Sequence, residues 1–166
     1  MIIYVTSEYR FTRLPDASIW TETAFPYSYW ERYLDAFSEV RVLARVREKT
    51  TPLTGGKRVD GKNVSVFALP DYQGPLGYFQ QRGEITKLLD GELRPENALI
   101  LSVPSPISLL LEKIIRRKNL VYGAEAMGDP WEVFSRSGIR HPLRIYFRLS
   151  LTARMKKQIS GAASVA

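Results

Sequence analysis

The chain contains no cysteine and only one histidine among its 166 residues. Without cysteine there can be no disulfide, no thiolate zinc site and no cysteine nucleophile. A single histidine cannot supply a site built from several histidines. We therefore expect neither a metal nor a bound cofactor in this chain.

Long hydrophobic runs are also missing, since none approaches the roughly 20 residues that span a bilayer. The first residues, Met1 to Tyr4, lack the basic flank and the small-residue cleavage site of a signal peptide. We expect a cytoplasmic location, with a peripheral contact to the inner membrane. A hydrophobic fraction of 45% and a charged fraction of 25% are typical of one folded globular domain.

The short motifs of nucleotide and hydrolase sites are absent. Neither G-x-G-x-x-G nor G-x-x-x-x-G-K-[ST] follows a predicted strand, and no G-x-S-x-G elbow occurs. The sequence Gly55-Gly56-Lys57 lies in a turn-rich segment with no helix behind it, so we interpret it as a turn.

Charge is unevenly distributed. The net charge of +7 comes from 24 basic and 17 acidic residues, and residues 140–166 contain six Lys or Arg and no acid. A second basic cluster lies at residues 113–118. Such patches attract phosphates, anionic lipid or nucleic acid.

Five short apolar runs, most of them separated by segments of helical period, dominate the pattern. They occupy residues 2–5, 40–46, 64–69, 98–103 and 120–124. This rhythm predicts an α/β fold, a Rossmann-like three-layer sandwich with a mainly parallel sheet of at least five strands. The functional residues of such folds lie in loops at the carboxyl ends of the strands.

A long polar and aromatic loop is predicted at residues 8–23, after the first strand. It carries Tyr9, Arg10, Trp20 and Glu22. Aromatic faces with a few charged groups suit sugars, which have apolar C–H faces and hydroxyl edges. The alternative is a lid that packs on its own domain. A helix over residues 25–37 follows, and its Tyr27, Tyr29, Trp30 and Tyr33 favour a core role over a stacking platform.

Asp129 follows the fifth predicted strand, between a glycine and a proline. Its carboxylate either faces the ligand crevice, as a base or hydroxyl acceptor, or caps the helical segment that begins at Pro130. Glu125 fits better as a strand-end residue with satisfied partners. His141, before Pro142, is predicted to be a capping or surface residue.

Three further predictions concern the arrangement of elements. The second strand alternates with arginine, which favours a position nearer a sheet edge than that of the uninterrupted strands. A last helix carries Ile145, Leu149, Thr152, Met155 and Ile159 on one face, and its basic side is either solvated or lies on anionic membrane. Residues 160–166 read as a frayed tail or as a turn and the start of another strand.

Three stretches carry a resemblance to a known family: residues 29–34 (YWERYL), 125–134 (EAMGDPWEVF) and 140–144 (RHPLR). Together they resemble the N-terminal half of family 4, group 1 glycosyltransferases, which have two Rossmann-like domains in the GT-B arrangement. The resemblance implies that residues 1–159 form an acceptor-binding domain. It also implies that the nucleotide sugar binds mainly to a C-terminal domain with an E-x7-E signature, absent from this chain.

The sequence departs from that family at two places. The loop after the first strand has Thr21-Glu22-Thr23-Ala24 where many relatives have a glycine pair, and no histidine follows the fourth or fifth strand. Asp129 is therefore only a positional substitute for a catalytic histidine. Tyr72 and Ser105, which follow the third and fourth strands, complete an acceptor-binding set with Tyr9, Arg10, Trp20 and Glu22.

These observations lead to one functional prediction and one alternative. The prediction is the acceptor-binding half of a glycosyltransferase that acts on a glycan or lipid-linked acceptor in cell-surface polysaccharide synthesis; alone, this half is expected to be inactive, and no nucleic-acid partner is expected. The alternative is a non-enzymatic α/β module that uses a basic face to hold nucleic acid or a protein.

Overall fold

Eight strands form one mixed sheet in the computed structural model, which describes residues 1–51, 53–133 and 144–166. Over that described part of the chain the strands are β1 (Ile2–Arg13), β2 (Ile19–Thr21), β3 (Glu39–Glu48), β4 (Lys57–Arg58), β5 (Val64–Leu69), β6 (Ala98–Val103), β7 (Gly123–Ala126) and β8 (Ser164–Val165).

Successive parallel strands are added first on one side of β1 and then on the other. Across the sheet the order is β5-β3-β1-β6-β7-β8, and each of these five neighbouring pairs is parallel. The β1–β2 and β2–β4 pairs are antiparallel, and they extend the sheet beyond the end of β6. The prediction is thus confirmed in the coarser form of an α/β fold; the sheet itself is mixed. The switch point lies between β1 and β6.

Helices cover both faces of the sheet. They are α1 (Tyr27–Trp30) with a following 3-10 helix (Glu31–Asp35), α2 (Gly74–Glu92), α3 (Pro106–Lys118), α4 (Pro130–Val133) and α5 (Arg144–Ser160). Side chains of α2, α3 and α5 share one apolar core, and those of α1 and the 3-10 helix share the other. No helix in the described ranges has the length and apolar character that crossing a membrane requires.

The two cores follow from the alternation of side chains along each strand. On β1, Ile3 and Val5 enter the core beneath α1, whereas Tyr4 enters the core beneath α2 and α3. All three side chains are almost completely buried. Fully burying one such side chain stabilises a fold by about 1.5–3 kcal/mol, which explains why the uninterrupted apolar runs lie at the centre of the sheet.

Several predicted boundaries are wrong. β1 does not end at Ser7 but continues to Arg13, so part of the predicted loop is strand. The predicted helix at 25–37 is split into α1 and the 3-10 helix. The fifth predicted strand, at residues 120–124, begins only at Gly123. The preceding residues connect it to α3, whose left-handed cap is Asn119. Residues 164–165 form β8 parallel to β7, in keeping with the predicted start of another strand.

β3 pairs with both β1 and β5 and lies second from one edge of the parallel part of the sheet, so it is nearer an edge than β1 and β6, as predicted. Its arginines are tolerated there because acidic side chains meet them. Arg41 pairs with Glu92 at 2.5 Å, and Arg45 pairs with Glu8 at 3.4 Å.

The predicted apolar face of α5 is only partly correct. Met155 and Ile159 pack into the core, but Ile145 and Leu149 are exposed. Apolar residues recur at helical spacing along the whole of α5, but only its last turns lie over the sheet. The predicted cap at His141 lies outside the described residues.

Candidate functional site

A crevice of about 240 Å³ opens at the switch point, where β1 and β6 diverge. We call it the switch-point crevice. Its walls come from the middle of β1, the carboxyl end of β6, the residues that follow β6 and β7, and the segment before α1. They include Glu8, Tyr9, Phe25, Ser102, Ser105 and Met127. Open α/β sheets bind ligands at this location, because strand order leaves no crossover helix to fill it.

Glu8 enters the crevice because β1 is bulged. The register between β1 and β3 shifts between Ser7 and Arg10, so Glu8 and Tyr9 have no partners on β3. A bulge bends the strand and re-aims its side chains. The Glu8 carboxylate accepts a hydrogen bond from the Tyr72 hydroxyl, and it accepts another from the backbone N–H of Ile107 at 3.3 Å. The carboxylate therefore occupies the N-terminal end of α3, where the helix dipole favours negative charge.

Burial raises the pKa of Glu8 above its usual 4.5, although the hydrogen bond from Tyr72, the charge of Arg45 and the Ile107 N–H act in the opposite direction. The same burial, with the nearby Glu8 charge, raises the pKa of Tyr72. Arg45 stacks on the Tyr72 ring at 4.4 Å and donates to the Tyr72 carbonyl at 2.9 Å. A carboxyl with a raised pKa in a crevice is a recognised feature of functional sites.

Glu8 was not singled out from the sequence. The available signal was its position, one residue beyond the predicted end of the first strand. The bulge that turns its side chain toward the crevice depends on the pairing with β3, which the local sequence does not reveal.

Ser105 forms the wall of the crevice at the start of α3. Its hydroxyl accepts a hydrogen bond from the Ser108 N–H at 3.0 Å, and the Ser108 hydroxyl accepts one from the Ser105 N–H at 3.1 Å. This reciprocal cap satisfies two free N–H groups at the helix start. Ser105 is thus held rigidly beside the Glu8 carboxylate, while its own hydroxyl is largely used by the cap.

Tyr9 lines the crevice and also a second, adjoining space. Its ring packs against Phe11 and Phe25, and its hydroxyl lies 2.7 Å from the Thr23 hydroxyl. Burial pushes the Tyr9 pKa upward, but hydrogen bonds with Thr21 and Thr23 outweigh it, and the pKa is lowered.

The second space is a polar cavity of about 250 Å³ lined by Tyr9, Arg10, Thr12, Glu22 and Arg47. Arg47 donates to Glu22 at 2.7 Å and to the Thr12 hydroxyl at 2.9 Å. The arginines of this cavity can donate hydrogen bonds to one hydroxyl group of a ligand, while the carboxylate accepts a hydrogen bond from an adjacent hydroxyl.

Not all of the predicted residues come together. Tyr9 and Ser105 line the crevice, Tyr72 bonds to its Glu8, and Arg10 and Glu22 share the polar cavity with Tyr9. These positions lie on or beside strands rather than in one loop.

Trp20 and Asp129 lie outside both spaces. Trp20, on β2, lies opposite Thr12 of β1, and its indole N–H donates to the Ser18 hydroxyl at 2.7 Å. Asp129 is exposed, and its carboxylate accepts from the Trp131 N–H at 2.8 Å, as a helix cap does. Met127, which lines the crevice, stands two residues before it.

Glu125 has the satisfied partners predicted for it. Its carboxylate accepts from Arg32 at 2.6 Å and from the Tyr33 hydroxyl at 3.1 Å. Arg32 in turn lies over the Tyr29 ring at 4.1 Å. The aromatic helix at 27–33 therefore has a structural role, with Trp30 buried in the core and bonded to the Phe25 carbonyl at 2.9 Å.

A larger cavity of about 410 Å³ lies elsewhere, between α3 and α5. Its walls include Asn119 and Gly161, which follow the carboxyl ends of those helices. Helices that cross between parallel strands end at the amino edge of the sheet, so this cavity is remote from the strand ends that usually carry function. Among the described residues no cluster of three or more His, Asp or Glu side chains could hold a metal ion.

The chain is distantly similar to a known protein. It is 21% identical over 110 residues to Protein CapJ of Staphylococcus aureus. The match covers 66% of this chain and 28% of CapJ, so the chain spans well under two thirds of its relative. No family model matches the chain, and no solved structure matches it.

Proposed function

We propose that the chain is the acceptor-binding half of a glycosyltransferase. It would be one of two Rossmann-like domains in a GT-B arrangement, in an enzyme that moves a sugar from a nucleotide sugar to a glycan or lipid-linked glycan. The observation that carries the proposal is the switch-point crevice, where the Glu8 carboxylate and the aromatic rings of Tyr9 and Phe25 converge at the bulge of β1, beside the carboxyl end of β6.

The chemistry of the two spaces suits a sugar. Glu8 and Glu22 can each accept a hydrogen bond from a hydroxyl, and Arg10 and Arg47 can donate one. The Tyr9 ring stands between the crevice and the polar cavity and offers an apolar surface to a C–H face of the sugar ring. A short glycan could thus place one residue in each space.

Catalysis would rest on holding the acceptor hydroxyl beside the anomeric carbon of the donor. The nucleotide sugar and its leaving phosphate would be bound mainly by the other half of the enzyme. Asp129 remains our proposed catalytic residue, as the carboxylate that accepts the proton of the acceptor hydroxyl. These 166 residues alone should show no turnover of a nucleotide sugar.

The likeness to CapJ supports the proposal at a coarser level. The Cap designation of that staphylococcal protein is in keeping with capsule synthesis, and thus with a role for this chain in making a cell-surface polysaccharide. In this proposal the domain that binds the nucleotide sugar corresponds to a part of CapJ outside the matched 28%.

Binding of oligosaccharides to the chain tests the proposal. Isothermal titration with short fragments of bacterial surface polysaccharides should find a ligand. Its affinity should fall about ten-fold in Glu22→Gln, because a hydrogen bond to a charged group contributes roughly 1.5–3 kcal/mol. Glu48→Gln is the matched control, since Glu48 also pairs with an arginine but lines neither space. Equal losses in both variants, or no binding fragment at all, would count against the proposal.

The alternative of a nucleic-acid module has a clear discriminating property. A protein that neutralises phosphates loses affinity steeply as salt rises, whereas a sugar site does not. The arginines on the extended part of the sheet do not favour this alternative, because Arg13, Arg47 and Arg58 each pair with a carboxylate.

A further inference from the structure

The strand at one edge of the sheet, β5, lacks the usual protection of an edge strand. Among the residues that the structure describes, β3 is the only strand that pairs with it, so one side of β5 has no neighbouring strand. Natural sheets shield such an edge with charged side chains, proline or a bulge. Val64–Leu69 contains neither charge nor proline, and its register with β3 is unbroken. An edge of this kind readily accepts another strand.

The direction of the backbone groups of β5 follows from its pairing with β3. Along a strand, successive residues direct their N–H and C=O groups to opposite sides. The Val40 N–H donates to the Asn63 carbonyl at 2.8 Å, so the odd-numbered residues of this segment direct their groups toward β3. The even-numbered residues Val64, Val66 and Ala68 therefore direct theirs to the free side.

One of these three residues is already closed by a local turn. The Val64 carbonyl accepts from the Gly61 N–H at 2.9 Å, and the Val64 N–H donates to the Gly61 carbonyl at 3.1 Å. No such contact in the described part of the chain engages Val66 or Ala68 on this side. The N–H and C=O groups of these two residues are therefore left for a partner from outside the chain.

We propose that two copies of the chain pair through β5, antiparallel and in the register that places Phe67 of one copy opposite Phe67 of the other. Val66 of each copy then lies opposite Ala68 of the other. In an antiparallel pair, two opposite residues can exchange both of their hydrogen bonds. All the free N–H and C=O groups of both edges therefore find partners, and the two sheets become continuous.

The neighbouring registers satisfy fewer groups. Pairing centred on Val66 places Ala68 opposite Val64, whose groups are held by Gly61. Pairing centred on Ala68 places Val66 opposite Pro70, which has no N–H to donate. The register centred on Phe67 avoids both losses, because it places Pro70 opposite the already closed Val64.

A second copy is the partner that this edge fits, because its free donors and acceptors lie symmetrically about Phe67. That symmetry is what an isologous contact around a two-fold axis requires, and such a contact closes at two copies. The Phe67 side chain is only partly buried against the core beneath α2 and α3. At the centre of the pair the two rings would meet where opposite side chains lie closest. The paired stretch is short, so the dimer should dissociate on dilution.

The inference goes beyond the proposed function and does not depend on it. The switch-point crevice lies at β1 and β6, and β3 separates β1 from the paired edge. The contact therefore leaves the crevice open in both copies. Oligosaccharide binding and dimer formation can fail or succeed separately.

Amide hydrogen exchange of the unmodified chain, followed by NMR in dilute and concentrated samples, tests the pairing directly. The Val66 and Ala68 amides should exchange about ten-fold more slowly in the concentrated sample, because they donate to the second copy only there. The Phe67 amide, which faces β3, should exchange slowly in both samples. Slow exchange of Val66 and Ala68 at every concentration would mean that their own chain covers the edge, and rapid exchange at every concentration would mean that the edge stays free. Either result would overturn the inference.

Sedimentation equilibrium with two proline variants locates the contact. Val66→Pro removes an outward N–H and no hydrogen bond to β3, so it should abolish the dimer while the chain stays folded, as edge strands accept proline at such positions. Val165→Pro is the matched control, on β8 at the other end of the parallel strands. Ala166 directs both of its backbone groups to β7, so the N–H of its neighbour Val165 faces outward. This control should leave the dimer intact.

The outcomes of the sedimentation experiment separate the possibilities. A monomer at every concentration, a species larger than a dimer, or the same change in both proline variants would overturn the inference. Circular dichroism should show that both variants fold. If Val66→Pro does not fold, the exchange of the Val66 and Ala68 amides in the unmodified chain decides the question.

Discussion

The hydroxyl of Tyr72 donates a hydrogen bond to the carboxylate of Glu8, and this contact joins the segment after β5 to the bulge in β1. The same carboxylate accepts from the first turn of α3. Three elements at the carboxyl edge therefore meet at one partly buried acid. Its protonation state links the stability of the fold to the chemistry of the switch-point crevice.

The stability of the fold should depend on the ionisation of Glu8. Burial raises its pKa above 4.5, so the folded protein holds this proton more tightly than the unfolded chain does. Its contribution is fully present below pH 4.5 and is lost as the pH rises through the raised pKa, by about 1.4 kcal/mol per pKa unit. Urea unfolding between pH 4 and 8 should show this decline in the parent protein and a flatter profile in Glu8→Gln.

Glu48→Gln serves as the control, because Glu48 is an exposed glutamate at the end of β3 that pairs with Arg13. Its pH profile should follow that of the parent protein. An unchanged slope in Glu8→Gln would mean that Glu8 titrates alike in the folded and unfolded chain.

Alkaline pH should destabilise the protein partly through Tyr33. Burial raises the pKa of Tyr33 to about 12 from its usual 10, so the unfolded chain ionises this phenol first. The contribution is complete below pH 10 and is lost as the pH rises from 10 to 12. The free energy of unfolding, measured by thermal denaturation across that interval, should fall less in Tyr33→Phe than in the parent protein. The difference should be at most about 2 kcal/mol, because Tyr33 is only partly buried. Tyr146→Phe, at an exposed position, should not alter the decline.

Two glycines should respond to alanine in opposite directions. A Cβ at Gly61 would lie 2.5 Å from the Tyr27 ring, so Gly61→Ala must displace that ring and should cost about 1–3 kcal/mol. A Cβ at Gly83, on the exposed side of α2, would meet nothing within 4 Å. Gly83→Ala should stabilise the fold by about 1 kcal/mol through helix propensity. Urea midpoints compare the two variants directly, and a shift of the same sign in both would be inconsistent with these contacts.

Apolar runs were reliable guides to the strands, because a strand buried on both faces needs a continuous run such as Ala98–Val103. The partners of the arginines on β3 could not be predicted in this way. Glu8 and Glu92, which are distant in sequence, pair with Arg45 and Arg41. Charge pairing over such separations leaves no local pattern.

The candidate site was predicted only in part for a related reason. Ser105 follows the end of β6, and that strand end is visible in the sequence. Tyr9 was expected in a loop but lies in the bulge of β1. Glu8 depends on a register shift between two strands, and the exposure of Ile145 depends on how far α5 extends beyond the sheet. Periodicity gives the spacing of side chains along an element but not what covers them.

The central claim is that ligands bind in the switch-point crevice. Amide chemical shifts of the chain during titration with a binding oligosaccharide test it most directly, since they locate the contact residue by residue. The expected result is a set of perturbations at Glu8, Tyr9, Ser105 and Met127. Perturbations confined to Asn119 and Gly161, in the cavity between α3 and α5, would contradict it.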